Sequence, residues 1–131
     1  MTGSFMKLHC DEVKPLDEKI LLKNNIPGFL KMEKCRALLS EYGLEILILT
    51  CGVNGSYVFT RENVSFVNTP KIEVADTVGA GDSFTATFIS AILKGKSIRE
   101  AHELAVEVSA YVCTQNGAMP ELPISIKSRL L

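Results

Sequence analysis

The segment DTVGAGDSF at residues 76–84 constrains this chain more than any other part of the sequence. Gly79 and Gly81 can take backbone angles that are closed to other residues, and Ala80 between them is small. Helical periodicity in the apolar residues that follow predicts a helix from about Ser83 to Lys94. Because a glycine turn at a helix N-terminus directs several N–H groups to one side, the segment is expected to bind an anion such as phosphate.

Asp82 follows the second glycine, and the residue by itself leaves two roles open. A carboxylate repels a bound phosphate, so phosphate binding alone gives no reason for an acid at this position. Asp82 can act as a general base that takes a proton from an attacking hydroxyl group, while the anion site stabilises the transferring phosphoryl group. It can equally be the N-cap of the helix, where Asp is strongly preferred.

Two well-known glycine motifs fit the segment less well. A P-loop requires a lysine after its last glycine, and no lysine follows Gly81. A dinucleotide-binding fingerprint requires a third glycine at the position of Phe84. The full pattern D-T-x-G-A-G-D-x-F instead resembles the second signature of the PfkB, or ribokinase-like, carbohydrate kinases.

The resemblance to PfkB kinases implies transfer of the γ-phosphate of ATP to a sugar hydroxyl. Asp82 would be the catalytic base, and the N–H groups of Gly79, Ala80 and Gly81 would form the anion hole. The implied fold class is α/β, namely the C-terminal part of a three-layer α/β/α fold with a β-hairpin and helices flanking a sheet. The general similarity is to fructokinase-like members.

The length of the resemblance predicts an incomplete kinase domain. It runs from about Lys7 to Pro123 and corresponds to the ATP-side, C-terminal part of a typical PfkB kinase. We therefore expect residues 1–131 to form a single domain that lacks the sugar-binding half and its β-sheet lid. A truncated, non-catalytic module that binds nucleotide or assembles with a partner is the alternative function.

Further nucleotide contacts are implied by two other segments. The sequence TCGVNG resembles the T-x-G-x-x-G segment that lines the nucleotide in the family, which implicates Thr50, Gly52 and Gly55. An ordinary turn between a strand and a hairpin is the alternative interpretation. Gly117 resembles the nucleotide-side C-terminal loop, although by itself it indicates only the end of a helix.

The resemblance also implies two kinds of metal ion. Glu12 matches a glutamate that organises Mg²⁺-bound water, although His9 stands where relatives have asparagine, and an acidic helix start is the alternative. Many members bind a monovalent cation such as K⁺ near the glycine turn. The matching positions are the carboxylate of Asp76, which can instead cap a turn, and main-chain groups at Val78, Val112, Gln115 and Gly117.

Hydrophobic periodicity predicts the remaining elements. They are helices at 11–24, 29–42 and 97–115, a strand buried on both faces at 45–50, a hairpin of 56–60 with 64–68, a short strand or extended segment at 72–75 and an extended tail after Pro120. An S-x-x-E capping box opens the last helix at Ser97. Within that helix, Val106 is predicted to pack on a helix face, and His102 to lie at the surface or its boundary.

Composition narrows the classes of partner. The net charge is −1, with 14 basic and 15 acidic residues, and no basic stripe indicates nucleic acid or an anionic membrane. Four scattered cysteines and the lack of an apolar leader favour a reduced, cytoplasmic location. The expected partners are ATP and a small sugar, and an uncovered sheet edge would favour a homo-oligomer.

Overall fold

The computed structural model describes residues 4–9, 29–71, 79–115 and 123–130. The chain divides into two units, Met1–Asn68 and Thr69–Leu131. The predicted helix at 11–24 and the predicted strand at 72–75 lie outside the described residues. No helix in the described ranges combines the length and the apolar character that crossing a bilayer requires.

The described residues of the first unit form a four-stranded mixed sheet in the order β1-β2-β3-β4. Its strands are β1 (Phe5–His9), β2 (Ile46–Thr50), β3 (Ser56–Thr60) and β4 (Val64–Val67). β1 runs parallel to β2, whereas β3 and β4 continue the sheet antiparallel. β1 is a strand that the sequence did not predict, and it makes the sheet mixed.

The centre of this unit is formed by β2, whose residues Ile46–Leu49 are all buried. This confirms the prediction of a strand covered on both faces, which its continuous β-branched and leucine run requires. Helix α1 (Phe29–Glu41) contributes to the same core. The core residues share apolar character and nearly complete burial, and they are Cys35, Leu39, Leu44, Leu47, Leu49 and Phe59.

The hairpin of β3 and β4 agrees with the sequence prediction. Phe59 pairs with Val64, and the Thr60 N–H donates to the Asn63 carbonyl at 2.8 Å to close the turn. The Thr60 hydroxyl also accepts from the Asn63 N–H at 3.1 Å. A short local turn therefore fixes the register of both strands.

The described residues of the second unit form three helices, α2 (Ala80–Leu93), α3 (Ile98–Cys113) and α4 (Ile124–Leu130). The hydroxyl of Ser97 accepts from the Glu100 N–H at 3.1 Å, so the predicted serine cap of α3 is present. α4 corrects the prediction of an extended tail. It begins after Pro123, whose carbonyl accepts from the Ile126 N–H at 3.0 Å, because proline is compatible with a helix start.

Close packing in this unit combines small and aromatic side chains. Ala91, Ala101 and Ala105 are fully buried, which lets helices approach closely, and Phe84 and Phe88 fill the remaining space. Ile126 of α4 is also buried. α4 is further joined to α3 by a 2.5 Å hydrogen bond from the Arg129 guanidinium to the Glu107 carboxylate.

Candidate active site

The glycine segment forms the start of α2. Gly79 is the N-cap, with φ 82° and ψ −7°, and its carbonyl accepts from the Ser83 N–H at 2.9 Å. The helix therefore begins at Ala80, three residues before the predicted start, because the left-handed Gly79 already turns the chain into it. Asp82 is the third residue of the helix, which excludes its alternative role as N-cap.

Only one glycine of the pair uses a left-handed conformation. Gly81 lies inside the first turn of α2 with ordinary helical geometry, so the backbone freedom that glycine allows is not used at this position. Its carbonyl accepts from the Thr85 hydroxyl at 3.1 Å. The first N–H groups of an α-helix point out of its N-terminal end and carry partial positive charge, so Ala80 and Gly81 have the orientation that an anion hole needs.

Asp82 is exposed at this helix start. Ala80 and Phe84, two residues away on either side, contact α3 through a hydrogen bond from Ser109 and a ring contact with His102. A shift of two residues rotates a side chain by about 200° around a helix. The carboxylate of Asp82 is thus turned away from the packed face, where it can meet a ligand.

His102 is fully buried, so the prediction of a surface or boundary position is wrong. Its ring meets Phe84 edge-on, with ring centroids 6.0 Å apart and an angle of 71° between the ring planes. Burial, assisted by the nearby positive charge of Arg99 and opposed by Glu103, lowers the pKa of His102 from 6.5 to about 4. The imidazole is consequently neutral near pH 7. Val106 of the same helix, by contrast, is buried, in agreement with the prediction that it packs on a helix face.

The segment Thr50–Gly55 makes a tight turn between β2 and β3. Thr50 pairs with Ser56, and the Cys51 N–H donates to the Gly55 carbonyl at 2.9 Å. A short 3-10 turn, Gly52–Asn54, occupies the tip. Both Gly52 and Asn54 are exposed, so the outer side of this turn is accessible.

The two glycines of this turn have different surroundings. Gly52 has φ +55°, and a Cβ added there would have no atom of the described residues within 4 Å. Gly55 has φ +96°, and its Cβ would lie 2.6 Å from the Phe66 ring and 2.9 Å from the Val67 carbonyl. Packing therefore explains the glycine at Gly55, whereas the described residues leave space beside Gly52.

Two of the predicted cation positions are described, and both lie at the end of α3. Val112 is in the last turn of the helix, and its carbonyl accepts from the Gln115 N–H at 3.2 Å. Carbonyl groups at a helix C-terminus carry partial negative charge, which suits a cation. Among the described residues, no group of three or more His, Cys, Asp or Glu side chains can hold a metal ion.

The predicted site residues fall into three local groups. Thr50, Gly52 and Gly55 share the turn after β2, Gly79–Asp82 share the start of α2, and Val112 and Gln115 share the end of α3. The remaining predicted residues, Glu12, Asp76, Val78 and Gly117, lie outside the described residues.

Comparison with known proteins identifies the protein family of this chain. Residues 9–125 match the sequence model of the pfkB family of carbohydrate kinases. The chain belongs to this family.

Named relatives are sugar kinases. The chain is 40% identical over 83 residues to an ATP-dependent 6-phosphofructokinase of Thermoanaerobacterium thermosaccharolyticum, covering 63% of this chain and 26% of that protein. It is 34% identical over 109 residues to a 2-dehydro-3-deoxygluconokinase of Thermoproteus tenax, covering 83% and 32% respectively. The chain thus spans about a quarter to a third of the length of these relatives.

Solved structures confirm the fold as part of a ribokinase-like α/β fold. Arabidopsis thaliana ribokinase, complexed with ribose and ATP, has a TM-score of 0.72 at 24% identity, with 97% of this chain and 40% of that chain covered. An Escherichia coli protein assigned as a ribokinase, in complex with ATP and Mg²⁺, has a TM-score of 0.73 at 21% identity (98% and 39% covered). Escherichia coli phosphofructokinase-2, in complex with potassium, has a TM-score of 0.70 at 18% identity, with 88% of this chain and 36% of that chain covered.

Proposed function

We propose that this chain is the nucleotide-side, catalytic part of an ATP-dependent sugar kinase. The observation that carries the proposal is the position of Asp82, exposed in the first turn of a helix that opens at the left-handed Gly79. One short segment thereby combines a carboxylate with the partial positive charge of a helix N-terminus. A carboxylate can serve as the general base and a helix N-terminus as the anion site of a phosphoryl transfer to an alcohol.

In the proposed reaction, Asp82 accepts the proton of a sugar hydroxyl as its oxygen attacks the γ-phosphorus of ATP. The bond between the γ-phosphorus and the bridging oxygen breaks, and ADP leaves with the electron pair. The N–H groups of Gly79, Ala80 and Gly81 stabilise the charge on the transferring group. The partial positive charge at the start of α2 adds to this stabilisation, and because it is already oriented, no water has to reorganise during the reaction.

The nucleotide would be bound by Thr50, Gly52, Gly55 and Gly117. The open space beside Gly52 supports a close approach of ligand to backbone. When bound, Mg²⁺ neutralises phosphate charge, with Glu12 as the residue that would hold its water. K⁺ would be held by main-chain groups that include Val112 and Gln115 and by the predicted Asp76, Val78 and Gly117.

The proposed partners are ATP and a small sugar, without nucleic acid or a membrane, and the proposed location is the cytoplasm. We treat the 131 residues as one incomplete kinase domain. The alternative is a non-catalytic module that binds nucleotide or self-associates.

Titration of Mg·ATP into the full chain by calorimetry tests nucleotide binding, and a panel of sugars then tests transfer. We expect Asp82→Asn to reduce transfer by about 10²- to 10⁴-fold, since a general base contributes about that much. Nucleotide affinity should stay similar or increase, because a negative charge beside the phosphates is removed.

Glu100→Gln is the matched control, because Glu100 is the exposed third residue of α3 as Asp82 is of α2. Both substitutions neutralise an acid at the same helix position, so their effects on helix stability should be similar. Normal turnover by Asp82→Asn would refute the catalytic role. Binding of ATP by the wild type without transfer to any sugar would favour the non-catalytic module.

A further inference from the structure

One side of the first turn of α2 is held by α3. The Ser109 hydroxyl donates to the Ala80 carbonyl at 3.1 Å, and the Phe84 ring meets His102. His102 and Ser109 are seven residues apart, about two turns, so they lie on the same face of α3. The two contacts flank Asp82, one before it and one after it along α2.

The bond from Ser109 acts on a particular peptide group. The carbonyl of Ala80 and the N–H of Gly81 belong to the same planar peptide unit. Whatever fixes the direction of that carbonyl therefore fixes the direction of that N–H. The Gly81 N–H is one of the three donors of the anion hole in the proposed function.

We propose that Ser109 is a positioning residue for phosphate binding. Its hydroxyl holds the Ala80–Gly81 peptide group so that the N–H groups of the turn point toward the phosphates of ATP. Ser109 acts through Ala80 and need not touch nucleotide or sugar. This inference rests on the proposed nucleotide site and adds a residue of α3 to it.

Simple packing does not explain a hydroxyl at this position. Ala105, one turn earlier on the same face of α3, is fully buried and makes no such bond, so an alanine at position 109 would suit the helix contact. The half-buried Ser109 hydroxyl instead has a carbonyl acceptor on α2. Orientation of the peptide group is the consequence that distinguishes serine from alanine here.

The test uses the full chain with Ser109→Ala, the conservative Ser109→Thr and the control Ser128→Ala. Ser128 is the matched control, because its hydroxyl also donates to a backbone carbonyl, that of Ser125, at 3.2 Å within α4. Mg·ATP affinity is measured by calorimetry. Hydrogen exchange of the Ser83 amide, which closes the first turn onto Gly79, is measured without nucleotide. Melting temperatures verify that each variant folds.

We expect Ser109→Ala to weaken Mg·ATP binding about two- to tenfold and to speed exchange at Ser83, as loss of one hydrogen bond should do. Ser109→Thr, which retains the hydroxyl, should restore affinity to within about twofold, and Ser128→Ala should change neither quantity. Wild-type affinity in Ser109→Ala, an equal loss in Ser128→Ala, or no rescue by threonine would overturn the inference.

The same measurements separate this inference from the proposed function. If the wild-type chain does not bind Mg·ATP, the proposed nucleotide site fails. Hydrogen exchange then decides whether Ser109 orients the turn. Faster exchange at Ser83 in Ser109→Ala alone would retain its orienting role, and unchanged exchange would reject it.

Discussion

Gly52 and Gly55 belong to one short turn, yet a methyl group would have different consequences at each. At Gly52 it would meet no atom of the described residues within 4 Å, so the expected cost is that of the left-handed backbone. At Gly55 it would also collide with the Phe66 ring and the Val67 carbonyl. The backbone carbonyl cannot move without disturbing the pairing of Val67 with Ser56.

Gly55→Ala is expected to lower the free energy of unfolding by about 2–4 kcal/mol, as the sum of a left-handed backbone and overpacking. Gly52→Ala should cost about 1–2 kcal/mol, from the backbone alone. Urea unfolding of the two variants measures the difference. Equal losses would show that the crowding beside Gly55 is relieved without cost.

His102 is a buried ionisable residue whose protonation should affect stability. Its pKa is lowered to about 4 in the folded chain by burial first and by Arg99 second. Between about pH 6.5 and pH 4, the unfolded chain binds a proton that the folded chain excludes. The contribution is therefore present above pH 6.5 and lost as the pH falls toward 4.

We expect the loss from His102 to approach about 3 kcal/mol between pH 7 and pH 4, because one pKa unit corresponds to about 1.4 kcal/mol. Urea unfolding of the wild type and of His102→Leu at several pH values isolates this contribution, since carboxylates titrate in both proteins. The difference in stability should shift in favour of the leucine variant as the pH falls. A constant difference would contradict a neutral buried imidazole.

At the scale of elements, α3 supports much of the second unit. It carries the buried His102 and the Ser109 that contact α2, and Glu107 joins it to α4. Its start is defined by the Ser97 hydroxyl, which accepts from the Glu100 N–H. A substitution that weakens the start of α3 should therefore also destabilise α2, the helix that carries Asp82.

Ser97→Ala should lower the free energy of unfolding by about 1 kcal/mol, because an N-cap acceptor is lost. Ser97→Thr retains an acceptor and should lose only part of that stability. Chemical denaturation of both variants tests the difference. If alanine and threonine are equally harmful, the hydroxyl bond to Glu100 is not the reason for the serine.

At the scale of the whole molecule, the chain matches a part of larger relatives. It covers 40% of the Arabidopsis ribokinase chain and 39% of the Escherichia coli neighbour. Within the described residues, β1 and β4 are the outer strands of the sheet. Pairing of such a strand with another chain would be the physical basis of the proposed self-association.

Nucleotide binding should stabilise the whole chain by mass action. At a Mg·ATP concentration about 100 times the dissociation constant, the free energy of unfolding should rise by about 2.7 kcal/mol. Adenosine, which lacks phosphates, should have a smaller effect at the same concentration, because the helix N-terminus at Gly79 would have no anion to bind. Thermal unfolding with each ligand measures the effect. Equal shifts would mean that the phosphates contribute nothing.

Local signals allowed much of the fold to be predicted from sequence. The serine cap of α3, the 61–63 turn and the continuous apolar run of β2 depend on residues close together in the chain. The candidate site was found in the same way, because the family signature places Asp82 and its glycines within nine consecutive residues. Residue types and spacing left two roles open for Asp82, and the catalytic role was implied by the resemblance to PfkB kinases.

Only the tertiary structure determined the features that depend on contacts between residues distant in the chain. β1 is stabilised by pairing with β2 about forty residues later, and seven-residue α4 by burial of Ile126 and the bond to Glu107. The burial of His102, its ring contact with Phe84 and the bond from Ser109 to Ala80 all depend on residues distant in the chain. A sequence specifies which side chains can make such contacts, but only packing between elements fixes their partners. The packing of α2 on α3 through Ala80 and Phe84 leaves Asp82 exposed on the other side of α2.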